Sequence, residues 1–140
     1  MTSKTISFKF IFVSIFLILT ACACKTRKPT VVGVWKPKEL ILTENQRKDT
    51  NNAMFINMTF EKSKEIYYKF NENGTFEFIS DKDIPGLKDA KGTYSVKGTT
   101  MTINYNNTKQ ESEIIKLTDT EMQGQSQDSL IVIYEKLRDK

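Results

Sequence analysis

Met101, Ile103 and Tyr105 alternate with Thr100, Thr102 and Asn104, the clearest period of two in the chain. A strand sends successive side chains to opposite faces, so such a stretch folds as a half-buried strand and not as a helix. Similar segments surround it. Val31-Val32-Gly33-Val34-Trp35 is apolar and β-branched, and residues 64–71 read as a strand. Asn71-Glu72-Asn73-Gly74 contains Asn-Gly, the strongest short hairpin signal, and leads into Thr75–Ile79, with Phe76 and Phe78 on one face. Asp83-Ile84-Pro85-Gly86 is a loop. Gly92–Val96, Thr99–Tyr105, Glu111–Leu117 and Glu121–Ser126 follow, separated by turns at Lys97-Gly98 and Asn106-Asn107. Leu130–Tyr134 is an apolar run expected to be buried on both faces. About eight short strands, with turns every 8–12 residues or so, predict an all-β antiparallel barrel or sandwich. Consecutive hairpins favour up-and-down order.

One region departs from this pattern. Asn45–Asn52 is polar and reads as a loop. In Ala53–Glu61, Met54, Ile56, Met58 and Phe60 alternate as in a strand, yet Met54–Met58 and Phe55–Thr59 are also helical neighbours. Methionine favours helix, and Asp49 or Thr50 can cap its start, so one short helix is expected here, over one end of the barrel.

The N-terminus carries an address. Lys4 and Lys9 are positive, Phe8–Leu19 is an apolar run of 12 residues, and Ala21 is small. A bilayer span needs about 20 residues, so the run fits the core of a signal peptide better. Leu19-Thr20-Ala21-Cys22 resembles the lipobox of bacterial lipoproteins. The resemblance implies cleavage before Cys22, a diacylglycerol on its thiol and an acylated (palmitate-type) N-terminus. Cys24 also follows a small residue, but Ala21 stands where the branched residue should be. The expected organisation is a signal peptide over residues 1–21, a tether over 22–30 and one domain over 31–138. The tether holds Lys25-Thr26-Arg27-Lys28-Pro29, either beside membrane phosphates or as a solvated linker. Bacteroidetes surface lipoproteins often have acidic residues at this place. A basic tether points instead to a periplasm-facing leaflet of the cell envelope.

Composition excludes much chemistry. There is no histidine, and no cysteine follows Cys24. The domain is therefore expected to stand without disulfides, thiolate metal sites or cofactors, and histidine-based catalysis is excluded. Glu61, Glu65, Glu72, Glu77, Asp81, Asp83 and Asp89 are spread over turns and solvent faces. No pair has the apolar setting that would split two pKa values, so no enzyme is expected. The glycines fit turns rather than a phosphate-binding loop. The net charge of +4 includes Lys4 and Lys9 of the leader. No basic stripe interleaves with aromatics, so nucleic acid is not an expected partner, and the domain is expected to be a monomer.

Gly33-x-Trp35, Phe70-Asn71-Glu72-Asn73-Gly74-Thr75-Phe76, Gly92-Thr93-Tyr94-Ser95-Val96, Ile115-Lys116-Leu117-Thr118 and Tyr134-Glu135-Lys136 occur in this order. Together they resemble the lipocalin-like domain of Bacteroidetes lipoproteins. The resemblance implies a small eight-stranded up-and-down barrel whose end is closed by Trp35. The family has no common assigned ligand. An eight-stranded interior holds either its own side chains or one small molecule. Trp35, Phe76, Phe78, Tyr94, Met101 and Ile103 are the inward residues expected to touch such a guest. Two functions follow as expectations. One is a lipid-anchored envelope protein binding a small hydrophobic ligand. The other is a structural or protein-interaction module with a filled barrel.

Overall fold

The structure, a computed structural model, describes residues 28–85 and 90–138. The signal peptide, Cys22, Cys24 and the tether up to Arg27 lie outside the described residues. Eight strands close into one barrel: β1 (Gly33–Ile41), β2 (Ile66–Phe70), β3 (Thr75–Ser80), β4 (Lys91–Lys97), β5 (Thr100–Tyr105), β6 (Thr108–Leu117), β7 (Glu121–Ser126) and β8 (Ile131–Leu137). Each pairs antiparallel with the next, and β1 closes against β8 from Val34↔Leu137 to Ile41↔Ile131. This is the up-and-down order expected from the hairpin spacing. Closure gives each of the eight strands two neighbours, so none is a whole edge strand.

Up-and-down order gives the barrel two ends. The floor holds the chain's entry into β1 and the turns at 71–74, 98–99 and 118–120. The mouth holds the β1–β2 connection, the β3–β4 loop, the turn at Asn106-Asn107 and the loop at 127–130. The Asn-Gly hairpin forms as its sequence demands. Gly74 has φ +79°, Asn71 donates to the Thr75 carbonyl (2.9 Å) and Gly74 to the Asn71 carbonyl (3.1 Å).

The β1–β2 connection corrects the sequence reading. It contains two helices, α1 (Glu44–Lys48) and α2 (Thr50–Ser63), where one short helix after a polar loop was expected. The cause is a capping box that the loop reading overlooked. Thr43 Oγ1 accepts from Gln46 N (3.3 Å), and Gln46 Oε1 accepts from Thr43 N (2.8 Å), so the polar run starts a helical turn. Asp49 caps α2 by accepting from Asn52 N (3.1 Å). Phe60 is the one fully buried residue of α2, whereas Met54, Phe55 and Met58 are 63%, 69% and 52% exposed. The methionines therefore do not pack onto the barrel.

The core sits at the floor. Trp35 and Phe76 are wholly buried, with Val31, Phe70, Met101, Ile114 and Met122 packed around them. Trp35 Nε1 donates to the Val31 carbonyl (2.7 Å), which gives the buried indole its partner. Gly33 has φ +132°, and a Cβ there would collide with Lys136 Cε; the Lys136 ammonium lies 5.2 Å from the Trp35 ring centre. Gly-x-Trp thus makes room for a lysine stem across the closed end. β8 also differs from expectation. All seven of its residues are half-buried, and none is fully buried.

Candidate ligand-binding site

Register decides which side chains meet inside. β4 and β5 place Gly92 opposite Tyr105, Tyr94 opposite Ile103 and Val96 opposite Met101. On β6, Ser112 faces Met101 and Gln110 faces Ile103. On β7, Ser126 pairs with Ser112 and Gly124 with Ile114. On β8, Val132 pairs with Gly124 and Tyr134 with Met122. Aromatic and branched residues thus fill one side of the interior. Serine, glycine and glutamine occupy the facing positions on β6 and β7, and they leave space.

That space is a cavity of about 410 Å³. Its apolar wall includes Tyr68, Phe70, Met101, Ile103, Val132 and Tyr134, and its polar side includes Gln110, Ser112 and Ser126. The volume falls in the lower part of the usual ~300–1,000 Å³ range for small-molecule sites. Gly124 contributes directly. A Cβ there would touch Tyr134 Cε2 at 3.7 Å, an ordinary contact that would shrink the void without a clash.

The wall is incomplete beside it. β6 starts at Thr108 but first pairs with β7 at Ser112↔Ser126, so four residues of β6 have no β7 partner. A shallower depression of about 360 Å³ on the outer face shares Glu111, Ser112, Ser126 and Gln127 with the cavity. Inside and outside therefore meet between the start of β6 and the β7–β8 loop. Helix α1 braces that loop, for Gln46 Nε2 donates to the Asp128 carbonyl (2.9 Å).

The tyrosines divide into two kinds. Among the described residues, Tyr94 donates to the Asn71 carbonyl (2.8 Å) and Tyr105 accepts from Gln110 Nε2 (3.4 Å), whereas the hydroxyls of Tyr68 and Tyr134 have no protein partner. No fully buried side-chain oxygen lacks a partner among these residues. The two hydroxyls therefore keep open surface, and both side chains line the cavity. Burial, with Tyr105 nearby, pushes the Tyr68 hydroxyl up to about 12. Burial, with Tyr68 nearby, raises Tyr134 further above the ordinary phenol value. Both phenols are thus protonated at any physiological pH. Burial, then the Glu72 charge, also raises Tyr94. At the rim, Lys109 Nζ and Glu111 Oε1 form an ion pair (2.7 Å), which holds the Glu111 carboxyl below its ordinary value.

Of the residues expected from sequence to touch a guest, Met101 and Ile103 line the cavity. Trp35 and Phe76 sit in the packed floor, and Phe78 and Tyr94 pack against the core without lining the void. Tyr68, Tyr134, Met122, Gln110, Ser112 and Ser126 were not expected. For the first two, the sequence offered only a strand over residues 64–71 and the apolar run over 130–134. Among the described residues, no three side chains of metal-binding type cluster.

Residues 31–124 match the model of a family described as a lipocalin-like domain. The crystal structure of a lipocalin-like protein from Bacteroides uniformis is similar in fold, with a TM-score of 0.53 and 15% sequence identity over 76% of this chain and 98% of that one. A search of curated proteins found no match.

Proposed function

This chain belongs to the lipocalin-like domain family, and from that premise we propose that it is a lipid-anchored cell-envelope protein holding one small, mostly apolar molecule in its barrel. The observation behind the reading is the 410 Å³ cavity lined by Met101, Ile103, Val132 and by Tyr68 and Tyr134, whose hydroxyls have no protein partner among the described residues. An open apolar space of this size beside a core as tightly filled as the floor is what a binding site needs. Cys22, in its lipobox-like setting, is the anchor, and the basic tether favours a periplasm-facing leaflet. The chain has no histidine for histidine-based acid–base chemistry, and the site is read as one that binds.

Two experiments test this. In the first, the full chain in phospholipid nanodiscs is titrated with the neutral apolar probe N-phenyl-1-naphthylamine and with envelope extracts, while the melting temperature is followed. A guest at 100 times its Kd adds about 2.7 kcal/mol of stability. A melt that no probe or extract moves, with no small molecule co-purifying, sinks the binding reading. In the second, Cys22→Ser releases the protein from membranes while Cys24→Ser does not, because buried acyl CH₂ groups give about 0.8 kcal/mol each. Mass spectrometry showing a mature N-terminus without lipid on Cys22 contradicts the anchor.

A second reading, the protein-interaction module, draws on the outer face of α2. Met54, Phe55 and Met58 are exposed there with no barrel partner among the described residues. It gains ground if the cavity takes no guest.

A further inference from the structure

The cavity reading says that a guest is apolar, and the two tyrosines narrow its chemistry. We propose that Tyr68 and Tyr134 form a donor pair selecting uncharged guests with a hydrogen-bond acceptor oxygen, such as a ketone or ester, over carboxylates and amines of the same length. The inference rests on the binding function proposed above.

Three observations converge. First, the two rings sit together edge to face, 5.7 Å between centres, and both line the cavity. Each hydroxyl lacks a protein partner among the described residues, in contrast to Tyr94 and Tyr105. Each hydroxyl is thus a donor that the barrel leaves open towards the cavity, and a guest oxygen can accept from it. Sites built this way discriminate strongly against analogues without the matching group.

Second, the charges lining the cavity do not suit an ion. They are Lys109, Glu111 and Asp128. Lys109 and Glu111 neutralise each other at 2.7 Å. Asp128 is exposed at the rim, in water. Among the described lining residues, a carboxylate inside would find no free cation and would face one more negative charge. An ammonium inside would have only a solvated, screened counter-charge outside. Burying an unpaired ion is far more costly than burying a hydrogen-bonded neutral group.

Third, the phenols keep their protons. Their raised pKa values leave both as donors across the pH range of the envelope. Gln110, Ser112 and Ser126 supply further neutral polar groups facing the same space, so the polar part of the guest meets dipoles rather than charges.

The test compares 2-nonanone, nonanoate and nonylamine, with the full chain in nanodiscs at pH 7.5 and empty discs as the blank. The ketone is expected to bind at least ~10-fold more tightly than either ion. Tyr68→Phe and Tyr134→Phe each weaken ketone binding about 2–12-fold, the range of one neutral hydrogen bond. In both variants N-phenyl-1-naphthylamine, which has no acceptor oxygen, loses less affinity than the ketone does. The carbonyl stretch of bound 2-nonanone lies at lower frequency than in alkane, and it returns towards the alkane value in the double variant. A merely structural role for the tyrosines would not move that band. Equal or tighter binding of nonanoate or nonylamine overturns the proposal, as does a carbonyl band that the variants leave in place. If the naphthylamine binds and the ketone preference is absent, this inference fails and the binding function stands. If neither probe binds, both fall together.

Discussion

The floor and the mouth of this barrel use the same eight strands with opposite results. At the floor, Phe70 stacks on Phe76 at 5.5 Å and meets Tyr94 edge-on at 4.9 Å, Trp35 is wholly buried, and the polar atoms of Trp35 and Tyr94 reach backbone carbonyls. Toward the β6–β7 side of the mouth, Gly124, Ser112 and Ser126 take the inward positions, and Tyr68 and Tyr134 line the cavity with hydroxyls that have no protein partner among the described residues. A short barrel thus has its stability concentrated at one end and its vacancy at the other. The aromatics do not fill the interior evenly, because small residues on two neighbouring strands withhold the volume that would complete it.

Substitutions should separate the two ends. The largest effect is expected from Trp35→Ala, which empties the best-packed position and removes the indole bond to Val31. It should lower stability by about 3–5 kcal/mol in urea denaturation. A midpoint that hardly moves would mean that the floor is not the stability centre.

Two glycines on the barrel wall sharpen the contrast. A Cβ on Gly92 would collide with the Asn104 carbonyl, which is backbone and cannot rotate away. Gly92→Ala should therefore cost about 1–3 kcal/mol, as overpacking does. Gly124→Ala points into the void beside Tyr134 and should change stability by less than ~1 kcal/mol while weakening guest binding. Equal penalties at the two sites would argue that the cavity is closed in solution.

Alkaline titration probes the mouth. The folded-state pKa of Tyr68 is raised from 10.0 to about 12, and that of Tyr134 is raised in the same sense. Between these values the folded protein holds more protons than the unfolded chain, so the contribution of these tyrosines to stability is constant below about pH 10 and falls from there to about pH 12. Tyr68→Phe and Tyr134→Phe should each flatten that fall, which a series of urea midpoints against pH would reveal. The smallest effect is reserved for the rim. Lys109→Ala breaks an exposed ion pair and should leave the urea midpoint almost unchanged.

The sequence reading found the floor more easily than the site. Apolar alternation marks a face that packs, so Phe76, Phe78, Met101 and Ile103 were visible, and Gly33-x-Trp35 located the closed end. The cavity is lined where packing stops. Gln110, Ser112, Gly124 and Ser126 face inward yet look like surface residues, and polarity hid the start of β6 as well, so the strand was expected from Glu111 and begins at Thr108. Tyr134 lay in a run that suggested burial on both faces, whereas the barrel needs one face toward a void. Helix α1 was marked by Thr43-x-x-Gln46, a local signal hidden by the polarity of the residues around it. A void leaves no hydrophobic pattern in a chain. It emerges only when strand register sets small residues opposite one another.

Methyl-resolved NMR of the full chain in nanodiscs, titrated with N-phenyl-1-naphthylamine, addresses the barrel's division into packed floor and receptive mouth most directly. Saturable shifts should appear at the methyls of Met101, Ile103, Leu130 and Val132, while Val31 at the floor and Met54 and Met58 on α2 stay in place. Shifts confined to α2, or a titration that leaves the cavity methyls unmoved, would contradict it.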